Sequence, residues 1–276
     1  MFIWPRPSTI EGMNAMPSLV EVLLEQQGAV ARVTINRPDQ RNALSGQTLM
    51  DLLAAFDWIR SEPSTRVCIL TGSGNRSFCA GANLTEMGEA DSPLAQHQHR
   101  SLFVDLFYQM TTVGKPIVGR INGHALAGGL GLAASCDLLI SVDTATFATP
   151  EINVGVWPMM IQAILARNLP RKALLEMFML GQRWDAATML RLGFVNRVVT
   201  AAELDQVVDQ IASEISRKSS AVLKLGRDAF YAGQDMEFLQ ALRHFQTTFS
   251  LVNQTEDASE GIRAFFEKRE PEFKGR

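Results

Sequence analysis

PIVGRINGHALAGGLGLAASCDLLISV (116–142) decides how this chain is read. Its first six residues, PIVGRI, carry three β-branched residues, a strand signal, and DLLISV (137–142) is a second one. Between them, 123–134 is built almost wholly of glycine, alanine and leucine, with a helix-competent end. Working outward, the same alternation continues. VCILT (67–71) reads as a strand, flanked by helical periodicity at 47–62 (Leu49, Leu52, Leu53, Phe56, Ile59) and at 93–113 (Leu102, Phe103, Leu106, Phe107). LVEVLLE (19–25) and AVARVTIN (29–36) read as a hairpin across Gln26–Gly28, and 146–149 as a short strand. From 158 to 268 nearly everything is helical, with one strand near Phe194–Val199. Strands alternating with helices, followed by a helical tail, predict an α/β fold with a mostly parallel sheet.

Composition bounds the rest. The 276 residues are 46% hydrophobic and 20% charged, enough apolar content to bury a sizeable core. Against 29 acidic residues stand 26 basic ones, a formal net charge of -3. That balance gives no electrostatic reason for nucleic acid or an anionic membrane as partner. Three cysteines (Cys68, Cys79, Cys136) without paired spacing argue against a disulfide scaffold and a zinc site, and point to a reducing cytoplasm or organelle matrix. No apolar run reaches the roughly 18–20 residues that span a bilayer. There is no flexible linker and no repeat with a clean period. The expected organisation is an extension at 1–17, a core at 18–200 and a helical subdomain at 201–276.

Chemically, several signatures are missing: no G-x-S-x-G elbow, no Walker loop, no H-E-x-x-H and no metal pattern among the four histidines. TGSGNRS (71–77) follows a strand and contains G-x-G, but Ser77 replaces the third glycine and no amphipathic helix follows, so it reads as a turn. Two small-residue loops carry more. SFCAGANLTEM (77–87) follows one strand, and NGHALAGGLGLAASCD (122–137) leaves the next. Small residues let a ligand approach unpaired backbone N–H groups, and one N–H from each loop would make a two-donor oxyanion hole. Close packing of helix on sheet selects the same residues, so both readings stand at this point. Glu151, in the apolar stretch ATPEINVGVWP (148–158), is the carboxylate suited to proton transfer, because apolar surroundings raise a carboxyl pKa.

Together these segments resemble the crotonase (enoyl-CoA hydratase/isomerase) superfamily. The matching stretches are VTINRPDQRNALS (33–45), SFCAGANLTEM (77–87), INGHALAGGLGLAASCDLLIS (121–141), FATPEINVGVWP (147–158) and FFEKREPEF (265–273), in family order. The resemblance implies a spiral of ββα units with a C-terminal helical trimerisation region, and a homotrimer or dimer of trimers. It implies an enzyme acting on acyl-CoA thioesters, with coenzyme A as part of the substrate and no separate cofactor. Ala82 and Gly128 match the two oxyanion-hole amides, and Glu151 matches a catalytic glutamate. Arg41 and Ala43 match the loop that shapes the CoA entrance, and Ala80, Gly81, Asn83 and Leu84 border the CoA path. Phe265 and Lys268 match C-terminal positions that touch CoA across a subunit boundary.

One departure matters. Hydratases of this family use two glutamates, and the first falls at Gly131, which has no proton to give or take. A single glutamate resembles the Δ3,Δ2-enoyl-CoA isomerases, so double-bond isomerisation is the expected reaction. A 2-enoyl-CoA hydratase and a non-catalytic acyl-CoA-binding homologue are the alternatives. Glu86, Glu89 and Asp91 are further carboxylates beside the first loop, Met159, Met160, Trp157 and Phe103 are candidate acyl-pocket walls, and His124 reads as support for the glycine pair.

Overall fold

The computed structural model describes residues 15–83 and 92–276. β1 (Val22–Gln27) and β2 (Val30–Ile35) form the antiparallel hairpin, turning at Gly28 with φ +57. The hairpin opens a six-stranded sheet that continues through β3 (Val67–Gly72), β5 (Ile117–Ile121), β7 (Leu138–Val142) and β10 (Arg197–Val199). Every pairing after the first is parallel. All six residues of β3 are buried, as befits a parallel strand covered on both faces.

A second sheet of four short strands lies beside it: β4 (Ser77–Cys79), β6 (His124–Leu126), β8 (Thr146–Ala148) and β9 (Trp184–Asp185). The chain alternates between the two sheets. β3 is followed by β4 and α2 (Pro93–Thr112), β5 by β6 and α3 (Gly128–Ala134), and β7 by β8 and α4 (Met159–Leu165). Each turn of this ββα spiral adds one strand to each sheet. Three successive strands of the small sheet therefore end side by side on one rim. Sequence periodicity does not see β4, β6 and β9, because two or three residues are too few to show an alternation.

Helix α1 (Gly46–Ser61) connects β2 to β3. It opens with a reciprocal capping box between Ser45 and Thr48 and buries Leu49, Leu52, Phe56 and Ile59. α5 (Arg171–Leu180) and α6 (Ala186–Arg191) flank β9. α7 (Leu204–Ser216) packs on β3, β5 and β7 through Leu204, Val208 and Ala212. α8 (Ser220–Gly233) is clamped to the core by Arg227. This guanidinium pairs with Asp137 and donates to the Thr111 and Met110 carbonyls at the end of α2 (2.8 and 2.6 Å). α9 (Phe238–Val252) and α10 (Glu256–Glu267) complete the chain, and α9 buries none of its residues in the single chain. Among the described residues no helix is long and apolar enough to cross a membrane.

Candidate active site

The rim of the small sheet collects the residues that the two small-residue loops and the Glu151 stretch supply. After β4 the chain runs through Ala80, Gly81 and Ala82; after β6 through Ala127 and Gly128; after β8 through Thr149 and Glu151. Gly81 holds φ +94 and lies against the second loop. A Cβ there would sit 2.7 Å from Ala127 Cβ and 3.1 Å from the Gly128 nitrogen. Ala127 has φ +50 and ψ −127, a conformation costly for an alanine, and it is held by its N–H bond to the Ala148 carbonyl (2.9 Å). This strained residue turns the chain sharply from β6 into α3. A Cβ at Gly128 would lie 3.6 Å from the Ala82 nitrogen, so the two predicted donors face one small volume. Neither amide donates a hydrogen bond within the described residues.

The glycines of the two loops divide by purpose. A Cβ at Gly129 would overlap the Cys79 carbonyl oxygen, so that glycine is required by the contact of α3 with β4. A Cβ at Gly128 has its nearest neighbour at 3.3 Å, the edge of the Phe103 ring, and meets no backbone closer than 3.6 Å. The close-packing reading of the Gly/Ala run holds at Gly129, and the Gly128 amide has no internal acceptor among the described residues. The glycines of TGSGNRS serve a turn: Gly72 is packed against the Phe78 carbonyl, and Gly74 takes φ +75.

The first loop is positioned from the N-terminal side. Leu44 and Ala82 form a parallel bridge, with Leu44 N–H donating to the Gly81 carbonyl (2.8 Å) and Asn83 N–H to the Leu44 carbonyl (2.9 Å). Ala80 N–H donates to the Arg41 carbonyl (3.1 Å). Arg37 donates to the Ala43 carbonyl (2.6 Å) and pairs with Glu21, which also accepts from Ser45 and Thr48. Asn42 is fully buried in the left-handed region (φ +55). It donates to the Ser73 and Ser77 carbonyls (3.0 and 2.8 Å) and accepts from Arg37 N–H. Asn122 donates to the Gly74 and Ser77 carbonyls from the other side (2.8 and 3.3 Å). Two buried amides thus fix the root of β4. Asn42→Ala leaves buried carbonyls unpaired, and the expected loss is about 2 kcal/mol of stability, read by urea unfolding. An unchanged midpoint would remove Asn42 from this positioning role.

Glu151 lies in a 3₁₀ turn, Pro150–Val154, that ends at Gly155 in the left-handed region (φ +74). The turn is pinned by the buried Thr149, whose hydroxyl donates to the Met177 carbonyl (3.2 Å). It is also held by Trp157, whose ring meets Phe178 edge-on and whose Nε1 donates to Gln162 (2.9 Å). The Glu151 carboxyl is largely buried, and its Oε2 has no hydrogen-bond partner among the described residues. Burial pushes its pKa above the usual carboxylate value. A buried carboxyl oxygen without a protein partner is open to one from water or a ligand.

His124 has its Nδ1 facing the N–H and hydroxyl of Thr146 (3.2 and 2.9 Å), a tie between β6 and β8. Burial, with Arg183 and Arg41 nearby, holds its pKa down. Phe103 forms a wall beside Gly128, whereas Met159 is 65% exposed in the single chain. Arg41 is exposed with φ +54. Phe265 is 79% exposed on α10, and Lys268 is the exposed left-handed residue that ends it. α10 packs on α8. Leu84, Glu86, Glu89 and Asp91 lie outside the described residues, as does most of the 1–17 segment.

Sequence pattern alone misses part of the site. Gly131, one turn after Gly128, does more than lack a carboxylate. A Cβ there would overlap Ile161 Cγ2, lie 2.9 Å from Ile161 Cβ and 3.1 Å from Phe107 Cζ. Nothing in the sequence links 131 to 161, since the contact exists only once α4 has packed on α3.

The chain is similar to known proteins along nearly its whole length. The family model described as enoyl-CoA hydratase/isomerase matches residues 25–276. Short-chain-enoyl-CoA hydratase of Clostridium acetobutylicum is 34% identical over 264 residues, covering 94% of this chain and 99% of that protein. Carnitinyl-CoA dehydratase of Proteus mirabilis is 34% identical over 258 residues, covering 92% and 98%. The crystal structure of an enoyl-CoA hydratase of Mycobacterium smegmatis superposes with a TM-score of 0.89 at 33% identity, covering 92% of this chain and 99% of that one.

Proposed function

The chain belongs to the enoyl-CoA hydratase/isomerase family, and from that premise we propose that it moves the double bond of an enoyl-CoA thioester, with Glu151 as the one proton carrier. The thioester oxygen sits between the N–H groups of Ala82 and Gly128. Glu151 takes a proton from C2 of a 3-enoyl thioester, and the C–H electron pair passes into a dienolate whose charge rests on that oxygen. The same carboxyl then returns the proton at C4, leaving a 2-enoyl thioester. The two donors act most strongly when the charge develops, which is what lowers a barrier, and removing one such donor typically costs about 3 kcal/mol.

The observation that carries this reading is the unpartnered, buried Oε2 of Glu151, on the same rim as two free amides. Its raised pKa suits a group that must both take and return a proton. Arg41, Ala43, Ala80, Gly81, Asn83 and Leu84 border the CoA moiety in this proposal. Phe265 and Lys268, exposed at the end of α10, reach a neighbouring subunit's CoA in a homotrimer or dimer of trimers. The free, buried cysteines suit a reducing compartment such as the cytoplasm.

The second reading is hydration of a 2-enoyl-CoA, favoured by the names of the relatives. Offering trans-3-enoyl-CoA and trans-2-enoyl-CoA of one chain length, and following the conjugated-thioester absorbance, separates the two. The expected result is a gain from the 3-enoyl substrate and no loss from the 2-enoyl one. Loss from the 2-enoyl substrate establishes hydration and overturns the isomerase reading. Silence on both with CoA thioester still bound leaves a binding protein.

A further inference from the structure

The face of α3 that carries Gly128 carries Gly131 one turn later, since residues three apart share a side of a helix. Phe103 covers the first position at 3.3 Å and Phe107 the second at 3.1 Å. The two rings lie 6.2 Å apart on α2 and are both buried. Ile161, from α4, closes the remaining side and is 4% exposed. The wall adjoining the two donor amides is therefore apolar and filled. A side chain at position 131 cannot enter unless Ile161 or its helix shifts.

Adding water across a double bond needs a group that holds and deprotonates the water and a proton delivered to the neighbouring carbon. Moving a double bond needs one carboxyl that does both in turn. We infer that Ile161 fills the space on α3 that a second acid/base group at position 131 would need, so that the glycine and the isoleucine together leave Glu151 to act alone. This inference rests on the isomerase reading above. Ile161 touches no reacting atom in it and acts by exclusion.

The test uses Gly131→Ala, Gly131→Glu and Ile161→Ala, singly and with Ile161→Ala added to each position-131 change. Thermal unfolding reads the packing. Either substitution at 131 lowers the melting temperature in the presence of Ile161, and adding Ile161→Ala returns most of that loss, a coupling that independent sites do not show. The paired enoyl-CoA assay reads the chemistry. Gly131→Glu alone gains no hydration. Gly131→Glu with Ile161→Ala hydrates a 2-enoyl-CoA at least about tenfold faster than either single variant, a conservative fraction of what a positioned acid/base group supplies.

Three results overturn the inference. The first is hydration gained by Gly131→Glu with Ile161 intact. The second is a double variant no more stable than its position-131 parent. The third is stability recovered with no hydration gained. A wild-type protein that fails to isomerise the 3-enoyl substrate sinks the reading beneath. The melting temperatures still report, separately, whether Ile161 fills the space at 131.

Discussion

Glu151→Gln abolishes turnover of a 3-enoyl-CoA while leaving binding of the CoA thioester unchanged. Proton transfer by a positioned carboxyl contributes about 10²–10⁴-fold, and no second carboxylate adjoins the donors among the described residues, so the upper end is expected. The amide is nearly isosteric, so the Thr149 and Trp157 contacts that pin the turn persist. Turnover at the wild-type rate in the variant would remove Glu151 as the base.

The same variant carries a stability signature of opposite sign. Burial holds the Glu151 pKa above its unfolded value, so between those two values the folded chain binds more proton than the unfolded one. Stability from this group is therefore full below the ordinary glutamate pKa of about 4.3 and is lost as the pH rises through the raised folded value. At neutral pH and above, the buried carboxylate is a liability that glutamine lacks. Glu151→Gln is thus at least as stable as wild type at pH 8, and the difference shrinks as the pH falls below the carboxylate range. If Glu151 is the base, the expected wild-type kcat/KM has its acid limb above the ordinary carboxylate range, because that base must be ionised to act.

Much of this architecture is legible in the amino-acid sequence, and the rest is hidden there for physical reasons. The long β-branched runs at 19–36, 67–71 and 137–142 announce the large sheet, because each buries several residues in sequence order. The small sheet, which carries the site, consists of two- and three-residue strands, and it is specified by the return of the spiral. Ala82, Gly128 and Glu151 can be named from their loops and from the family pattern. Their convergence on one rim follows from β4, β6 and β8 pairing in parallel. Ala127 gives no sign of its positive φ, since alanine is the wrong residue to advertise one. Gly131 can be read as a missing carboxylate, but not as a filled space.

Adjacent glycines make the sharpest contrast that the geometry supports. Gly129→Ala places a methyl into the Cys79 carbonyl, 2.7 Å from its carbon and 2.8 Å from Cys79 Cβ. Backbone of a strand in a sheet cannot yield as a side-chain tip does, so the change costs about 3 kcal/mol, the upper end for overpacking. Gly128→Ala meets only the Phe103 ring edge at 3.3 Å, the Gly81 Cα at 3.6 Å and the Ala82 nitrogen at 3.6 Å. The ring edge can give by a few tenths of an ångström, and alanine is at least as good as glycine inside a helix, so stability changes by less than about 0.5 kcal/mol. The methyl nevertheless points at the Ala82 amide, where the thioester oxygen must come within about 2.7–3.1 Å of both donors. Displacing that oxygen costs about 10²–10³ in kcat, as removal of a donor does elsewhere. Urea unfolding and steady-state kinetics on the two variants therefore separate: one loses stability, the other activity alone. A Gly128→Ala protein with wild-type kcat would mean that the space between Ala82 and Gly128 holds no reacting oxygen. The isomerase and hydratase readings would then fall together, because both require the charge to be received there.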